Sequence, residues 1–253
     1  MIDLSLRESV SEITLDMAKN MEAGVKAVFP NATLVTDRFH VVKLSIDSIQ
    51  HIRVKLRWAE MDIENLRLTK IKNAKKEFAT ALKNPLTEER AIKKIEKKCQ
   101  KIITKNQPVI HENGDTPKQL LARSRYILAK KEDLWTRNQQ ERAIILFREY
   151  PILKTAYHEV LAFRNIYEEK VKYKAKIKME AWIKKVNDNE MKDFYSLANT
   201  VENYLDNILN FFNNRNTNAN AESFNSKIKL FRANQRSVKD TKFFLFRLSK
   251  LFA

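Results

Sequence analysis

The sequence predicts a mainly α-helical protein that opens with a short strand–helix–strand segment. Only 2 glycines and 5 prolines occur among the 253 residues, which is too few turn-forming residues for a β-sandwich or a β-barrel. Apolar residues recur at helical spacing over most of the chain, and their share of 43% is enough to form a core. Only two short segments near the start of the chain favour strands.

These two segments are residues 10–15 and residues 33–36, which are rich in β-favouring side chains. Between them, four apolar residues recur at helical spacing and predict a helix: Met17, Met21, Val25 and Val28. Each predicted strand runs into an acidic residue, because Asp16 follows the first and Asp37 follows the second.

A long helix is predicted after His40, where five apolar residues share one helical face: Val42, Ile46, Ile49, Ile52 and Leu56. The helix continues past Trp58. Residues 66–106 hold 13 Lys or Arg and 4 acidic residues with few strongly apolar positions, which is typical of a solvated helical arm. Pro85 and Pro108 break this arm.

A helix start is predicted at Thr116, because Pro117 and Gln119 follow it in the order of a capping box, and a domain boundary is expected near residues 106–117. Four further helices are predicted, over residues 120–129, 139–148, 151–187 and 190–214. Residues 213–220 are rich in Asn and Thr, whose side chains compete for backbone hydrogen bonds, and predict a loop.

A last helix is predicted from about Ala219, with three aromatic or aliphatic residues on a core face: Phe224, Ile228 and Phe231. Glu222 precedes Phe224 by two residues, so helix geometry turns it away from that face, and it shares its own side with three polar residues: Asn225, Ser226 and Lys229. A lone helical Glu of this kind is most often an ordinary exposed residue.

Charge and composition indicate the partner and the compartment. The net charge is +17, far more than solubility requires, which predicts a polyanionic partner. The single Cys99 excludes a disulfide or a cysteine-based zinc site within the chain. No segment has the roughly 18 to 20 uninterrupted apolar residues of a membrane span, so a soluble, cytoplasmic protein without a membrane partner is expected.

Several motifs in order resemble DDE transposases of bacterial insertion sequences, specifically the ISL-three group. They are residues 34–43 (LVTDRFHVVK), with its Asp-x-x-His signature, and residues 218–229 (NANAESFNSKIK), supported by residues 113–126, 146–153 and 231–252. The resemblance implies a mainly α fold with a partial ribonuclease-H-like α/β core. Two short N-terminal strands and the C-terminal helices form this core, and a large all-helical insertion interrupts it. The implied division is 1–40 and 213–253 for the core and 41–212 for the insertion.

The resemblance also implies a carboxylate site. In the preferred alignment Asp16 is the second catalytic acid and Glu222 is the third, and both bind metal. Asp37 and His40 then form an accessory motif. In the alternative alignment Asp37 is the second acid. In a structural interpretation Asp37 only ends a strand and His40 caps or packs a helix start. The implied cofactor is a pair of divalent ions, Mg²⁺ or Mn²⁺, since hard cations prefer carboxylate oxygen.

One expected residue has no counterpart, because only Asp3 precedes Asp16 as a candidate for the first catalytic aspartate. No hydrophobic strand can deliver Asp3, and a structural role at the terminus is expected for it. The resemblance therefore implies a transposase without its N-terminal part, and activity of the chain alone is left open.

The predicted partner is double-stranded DNA, both as transposon ends and as target. The protein itself is expected to form a homo-oligomer. The residues predicted to contact DNA are cationic or amide side chains: Arg38, Lys43, Asn225, Lys227, Lys229, Arg232 and Arg236. The leading hypothesis is the C-terminal portion of a transposase that cleaves and transfers DNA strands when complete. The alternatives are a non-catalytic basic helical module that binds DNA or partner subunits, and an unrelated helical RNA-binding protein.

Overall fold

The computed structural model describes residues 3–235 and 240–252, without the side chains of residues 19, 219–222 and 252. The described chain has two strands, β1 (Glu12–Leu15) and β2 (Thr33–Thr36). Its α-helices are α1 (Leu4–Glu8), α2 (Lys19–Val28), α3 (Arg38–Lys83), α4 (Glu89–Lys105), α5 (Pro117–Arg123), α6 (Arg137–Glu149), α7 (Pro151–Ile166), α8 (Lys172–Asp188), α9 (Tyr195–Asn203), α10 (Leu205–Asn214), α11 (Ala219–Asn234) and α12 (Thr241–Phe252).

The chain divides into two compact units. The first consists of Met1–Lys43, Ile166–Lys185 and Leu197–Ala253, and the second of Leu44–Asn165 and Val186–Ser196. Helix α10 and most of α8 and α9 thus belong to the unit that contains both strands. The domain division at residues 40 and 212, with its boundary near 106–117, stays a prediction.

In the first unit, β1 and β2 form a two-stranded parallel sheet, with Ile13 opposite Leu34 and Leu15 opposite Thr36. Parallel neighbours need a crossover connection, and α2 supplies it. Helix α10 packs against β2, where Asn210 Nδ2 donates to the Leu34 carbonyl oxygen over 2.9 Å. The sheet is therefore covered on the side where β2 would otherwise expose an unpaired carbonyl.

The core of the first unit is aromatic. The Tyr167 and Phe212 rings stack with centroids 5.8 Å apart, and Phe211 meets both rings edge-on. All three side chains are buried. Such ring pairs add to the free energy gained from apolar burial.

The second unit contains most of α3, all of α4, and a core between α5 and α7 in which Leu120, Leu146 and Leu153 are fully buried. The 113–117 turn carries Asp115, which is also completely buried and accepts hydrogen bonds from Arg123 and from Arg142 Nε, the latter over 2.9 Å. Thr116 and Gln119 form the predicted capping box at the start of α5.

The strand and arm predictions are confirmed. The second strand occupies residues 33–36, the first begins at Glu12, and the arm breaks between α3 and α4 and again after Lys105. The prediction of a capping start at Thr116 is also confirmed.

Three predicted helices have wrong bounds. The predicted 151–187 helix is two helices separated at residues 167–171, and the 190–214 segment contains a short 3-10 turn, α9 and α10. Helix α5 ends at Arg123, whereas a helix to residue 129 was predicted. The predicted core face of α11 is only partly covered, since Phe224 is 44% exposed.

Candidate metal centre

Two acidic side chains meet at the carboxyl end of the sheet. Asp16 follows β1 directly and Asp37 follows β2 directly, and parallel pairing aligns the two strand ends. The Asp37 backbone N–H donates to the Leu15 carbonyl oxygen over 2.9 Å, which extends the pairing by one step. The sequence alternation of strand, helix and strand therefore brings residues 21 positions apart to one edge.

His40 completes the cluster from the first turn of α3. Its Nδ1 atom lies 2.8 Å from Asp16 Oδ1 and 3.4 Å from Asp37 Oδ2. Both distances are those of ion pairs, and in the described part of the chain this buried nitrogen has no hydrogen-bond partner. A buried ring nitrogen between two carboxylates is positioned to coordinate a cation when the imidazole is neutral.

The three groups fit a divalent ion. One ligand atom from each of Asp16, Asp37 and His40 lies within 4.8 Å of the other two. Carboxylate oxygen and imidazole nitrogen are common ligands of Mn²⁺, while Mg²⁺ uses mainly the oxygens. The donor set therefore agrees with the divalent ions expected from the sequence.

The two carboxylates differ in their surroundings. Asp37 is 1% exposed, and its Oδ1 accepts a hydrogen bond from the Phe39 backbone N–H over 3.2 Å, so it also caps the start of α3. The Asp16 side chain is 48% exposed. Asp37 is thus held in one position by the fold, while Asp16 is accessible to solvent.

Arg38, which was predicted to contact DNA, is already engaged by the protein. Its guanidinium lies 5.5 Å from the ring centroid of Tyr167 and 3.3 Å from Glu168 Oε1. Burial raises the pKa of Tyr167, which keeps the phenol neutral beside this cation. The arginine side chain remains 36% exposed, so one side of it faces solvent.

The other predicted DNA contacts lie on helix surfaces. Lys43 is exposed on α3, and the four predicted contacts on α11 are exposed as well: Asn225, Lys227, Lys229 and Arg232. Arg236 lies outside the described residues. Glu222 is in α11, but its side chain is outside the described part, so its distance from Asp16 stays a prediction. Asp3 accepts a hydrogen bond from the Ser5 backbone N–H at the start of α1, as a terminal capping residue does.

A group of asparagines in α10 and the loop after it holds the strands, and none of them was predicted from the sequence. Asn214 and Asn216 each donate to a different oxygen of Glu12 over 2.8 Å, and Asn210 donates to the Leu34 carbonyl while accepting from Lys172. The available signal was the recurrence of Asn at positions 207, 210 and 214, which is helical spacing along one face.

A two-stranded parallel α/β segment, with an acidic cluster at its carboxyl edge and helices elsewhere, defines a mainly α protein with a partial ribonuclease-H-like core. A family model described as transposase, that of the ISL-three group of DDE enzymes, matches residues 2–248. The chain therefore belongs to the ISL-three group of DDE transposases, which act in the transposition of insertion sequences.

Searches among curated proteins and among solved structures found no match. DDE transposases as a family use divalent metal ions and bind DNA. Within the described residues, no helix combines the length and the apolar character needed to cross a membrane.

Proposed function

We propose that this chain binds transposon and target DNA and supplies part of the metal-binding site with which the complete transposase cleaves and transfers DNA strands. The observation that carries the proposal is the cluster of Asp16, Asp37 and His40 at the carboxyl edge of β1 and β2. Its donor atoms match the ions that the family uses.

The residues that would hold the ions are Asp16 and, by resemblance, Glu222, with Asp37 and His40 beside them. When bound, divalent ions stabilise negative charge on the attacking and leaving oxygens of phosphoryl transfer. Asp16 is the better candidate for the second catalytic acid because its carboxylate is accessible, whereas Asp37 is buried and caps α3. The roles of these two acids are part of the proposal.

His40 and Asp37 act as positioning residues in this arrangement. Asp37 fixes the first turn of α3 through the Phe39 N–H, and that turn holds the His40 ring against both carboxylates. Arg38, Lys43 and the cations of α11 would neutralise DNA phosphates near the site. Assembly as a homo-oligomer also remains a prediction.

Cleavage of element ends tests this function. The complete reading frame that encodes residues 1–253 is expressed and incubated with Mn²⁺ or Mg²⁺ and duplex DNA that carries the ends of its element. We expect strand cleavage that Asp16→Asn and Glu222→Gln each reduce by at least about 10³-fold, since loss of a metal ligand removes transition-state stabilisation worth several kcal/mol.

Two exposed acids of the same unit provide matched controls. Asp206→Asn and Glu202→Gln make the same chemical changes in α10 and α9 and should leave the cleavage rate unchanged. If Asp16→Asn cleaves as fast as Asp206→Asn, the metal-site assignment is wrong. DNA binding without any metal-dependent cleavage would instead favour the non-catalytic basic module.

A further inference from the structure

The basic arm of the second unit is a helical hairpin. Helix α4 folds back along the distal part of α3, where Lys98 Nζ contacts both Glu77 oxygens over 2.9 and 3.0 Å and Arg67 donates to the Asn106 carbonyl over 2.6 Å. Small side chains are buried between the helices: Ala74, Ala81 and Cys99. Small buried residues let two helices approach closely, so few large apolar side chains are needed to hold α3 and α4 together.

The outward side of α4 carries a continuous line of cations, which we call the α4 stripe: Arg90, Lys94, Lys97, Lys101 and Lys105. Steps of three and four residues keep these side chains on one face of the helix. Lys97 and Lys101 each lie two residues from the buried Cys99, roughly 200° around the helix from it. The stripe is therefore directed away from α3, and all five residues are exposed.

The charges of the stripe are not neutralised by the fold. In the described residues none of its five members forms an ion pair, whereas the neighbouring Lys93 pairs with Glu89 and Lys98 with Glu77. The two acids of α4, Glu89 and Glu96, lie on one flank, roughly 120 to 140° from the centre of the stripe. The outward side of α3 carries a shorter and interrupted row of cations, because Ala79 and Thr80 lie between its second and third lysines: Lys72, Lys76 and Lys83.

We propose that the α4 stripe binds the phosphate backbone of duplex DNA, as a contact surface that shares no residue with the candidate metal centre. That DNA is the partner rests on the proposed function, and the α4 stripe is the additional binding surface. The stripe spans about 22 Å along the helix at 1.5 Å per residue, while duplex DNA carries one charge per about 1.7 Å of its axis. A straight row of unpaired cations on a rigid helix matches such a line of phosphates and reads no base sequence.

Salt dependence of DNA affinity tests the stripe. The triple variant Lys94→Gln, Lys97→Gln, Lys101→Gln is compared with wild type on a random-sequence duplex, in chelator and between about 50 and 200 mM salt. The slope of log affinity against log salt is negative, and each lost phosphate contact makes it less steep by about 0.9, so the expected change for three contacts is about 2.7. Gln favours helix as Lys does, and an unchanged far-UV circular dichroism spectrum and Tm should confirm the fold.

The outer row of α3 supplies a control of equal charge. Lys72→Gln, Lys76→Gln, Lys83→Gln removes three cations from the same arm and should change the slope by less than about 1. Equal slope changes in the two triple variants would reduce the effect to net charge and overturn the proposal. A wild-type salt slope in the α4 variant would also overturn the proposal. So would an α4 variant whose mass in solution changes while its DNA affinity does not.

The same measurements separate this inference from the proposed function. Binding in chelator does not depend on the metal centre, so Asp16→Asn should bind the random duplex with the wild-type slope. If the α4 variant keeps the wild-type slope and Asp16→Asn abolishes cleavage, the stripe assignment fails and the function stands. If the α4 variant loses slope while Asp16→Asn cleaves normally, the function fails and the stripe stands.

Discussion

At Asp115, electrostatics and folding are directly coupled. Its carboxylate is fully buried, which raises its pKa, but hydrogen bonds and charge from Arg142 and Arg123 outweigh burial and leave the pKa below its usual value. A carboxyl group with a lowered folded-state pKa contributes stability above its unfolded pKa of about 3.9 and loses that contribution as pH falls through the folded pKa.

Replacing the Asp115 carboxylate should reveal its contribution to the free energy of unfolding. Asp115→Asn keeps the shape but loses the charge and one acceptor, so it should cost about 2 kcal/mol of unfolding free energy at pH 7. The difference in unfolding free energy between variant and wild type should narrow as pH falls below about 3.9, because Asp115 is then protonated in the unfolded chain while the folded state still resists protonation. Urea unfolding across this pH range measures both quantities.

Asp62→Asn is the comparison, since Asp62 is exposed on α3 in the same unit. It should alter the unfolding free energy by less than about 0.5 kcal/mol. A gap for Asp115→Asn that stays constant with pH would show that Asp115 acts through packing and not through its charge.

At the candidate metal centre, the sequence predicted the two strands and the acid that follows each of them. The parallel pairing that brings Asp16 and Asp37 to one edge was not predicted from the residues, and the two acids were grouped only by the family resemblance. His40 follows Asp37 by three residues in a helix start, which places it beside that acid. The asparagines of α10 were missed because their contacts, such as Asn210 to Leu34, join residues far apart in the chain.

At the scale of elements, side chains from other parts of the fold bind carbonyls just beyond two of the helices that were predicted too long, α5 and α7. The carbonyls of Ile127, Ala129 and Lys130 accept hydrogen bonds from three side chains: Trp135, Arg164 and Tyr157. After α7, Arg215 donates to the carbonyls of Tyr167 and Glu169, each over 2.8 Å. These carbonyls are satisfied without continuing a helix, and neither break contains Gly or Pro. The local sequence therefore does not predict these two helix ends.

Tyr157→Phe tests this capping by tertiary contacts. The Tyr157 hydroxyl donates to the Lys130 carbonyl over 2.7 Å and the ring is fully buried, so the variant should lose about 1 to 2 kcal/mol of unfolding free energy. Chemical denaturation measures the loss. Tyr173→Phe, at a residue 70% exposed, should change stability by less than about 0.5 kcal/mol, and equal losses would contradict the assigned role of the hydroxyl.

The elements that the sequence did predict share strong local signals. Strand β2 was placed at its exact residues because β-branched side chains follow a Pro-Asn turn and stop at an aspartate. Helix α5 was predicted from the capping box at Thr116, and the arm from the breaks at Pro85 and Pro108. Local propensity and the signals that start or stop helices therefore account for these elements, while tertiary hydrogen bonds accompany the missed ends of α5 and α7.

For the whole molecule, the dominant property is the net charge of +17. Charges of one sign repel across the folded surface and lower its stability, while dissolved salt screens them over a Debye length of about 10 Å at 0.1 M. The same excess favours a polyanion as partner. Stability and DNA affinity should therefore respond to salt in opposite directions.

Thermal unfolding without DNA tests the repulsion. Raising NaCl from about 50 to 200 mM should raise the Tm by about 2 °C or more, because screening relieves repulsion between cations that have no partner. Chloride is preferred to sulfate, since sulfate stabilises folded proteins by exclusion from their surface. A Tm that is constant or falls over this range would mean that paired charges dominate the folded surface.

The buried sulfur between α3 and α4 gives the basic arm a chemical reporter of its own motion. Cys99 is the only cysteine in the sequence and is 6% exposed. A thiol reagent can reach it only when the two helices separate locally, so the rate of labelling measures how often the hairpin opens. Since the α4 stripe lies on the opposite face of the same helix, DNA bound there leaves the path to the sulfur free. Slower labelling with DNA would then report a more stable hairpin.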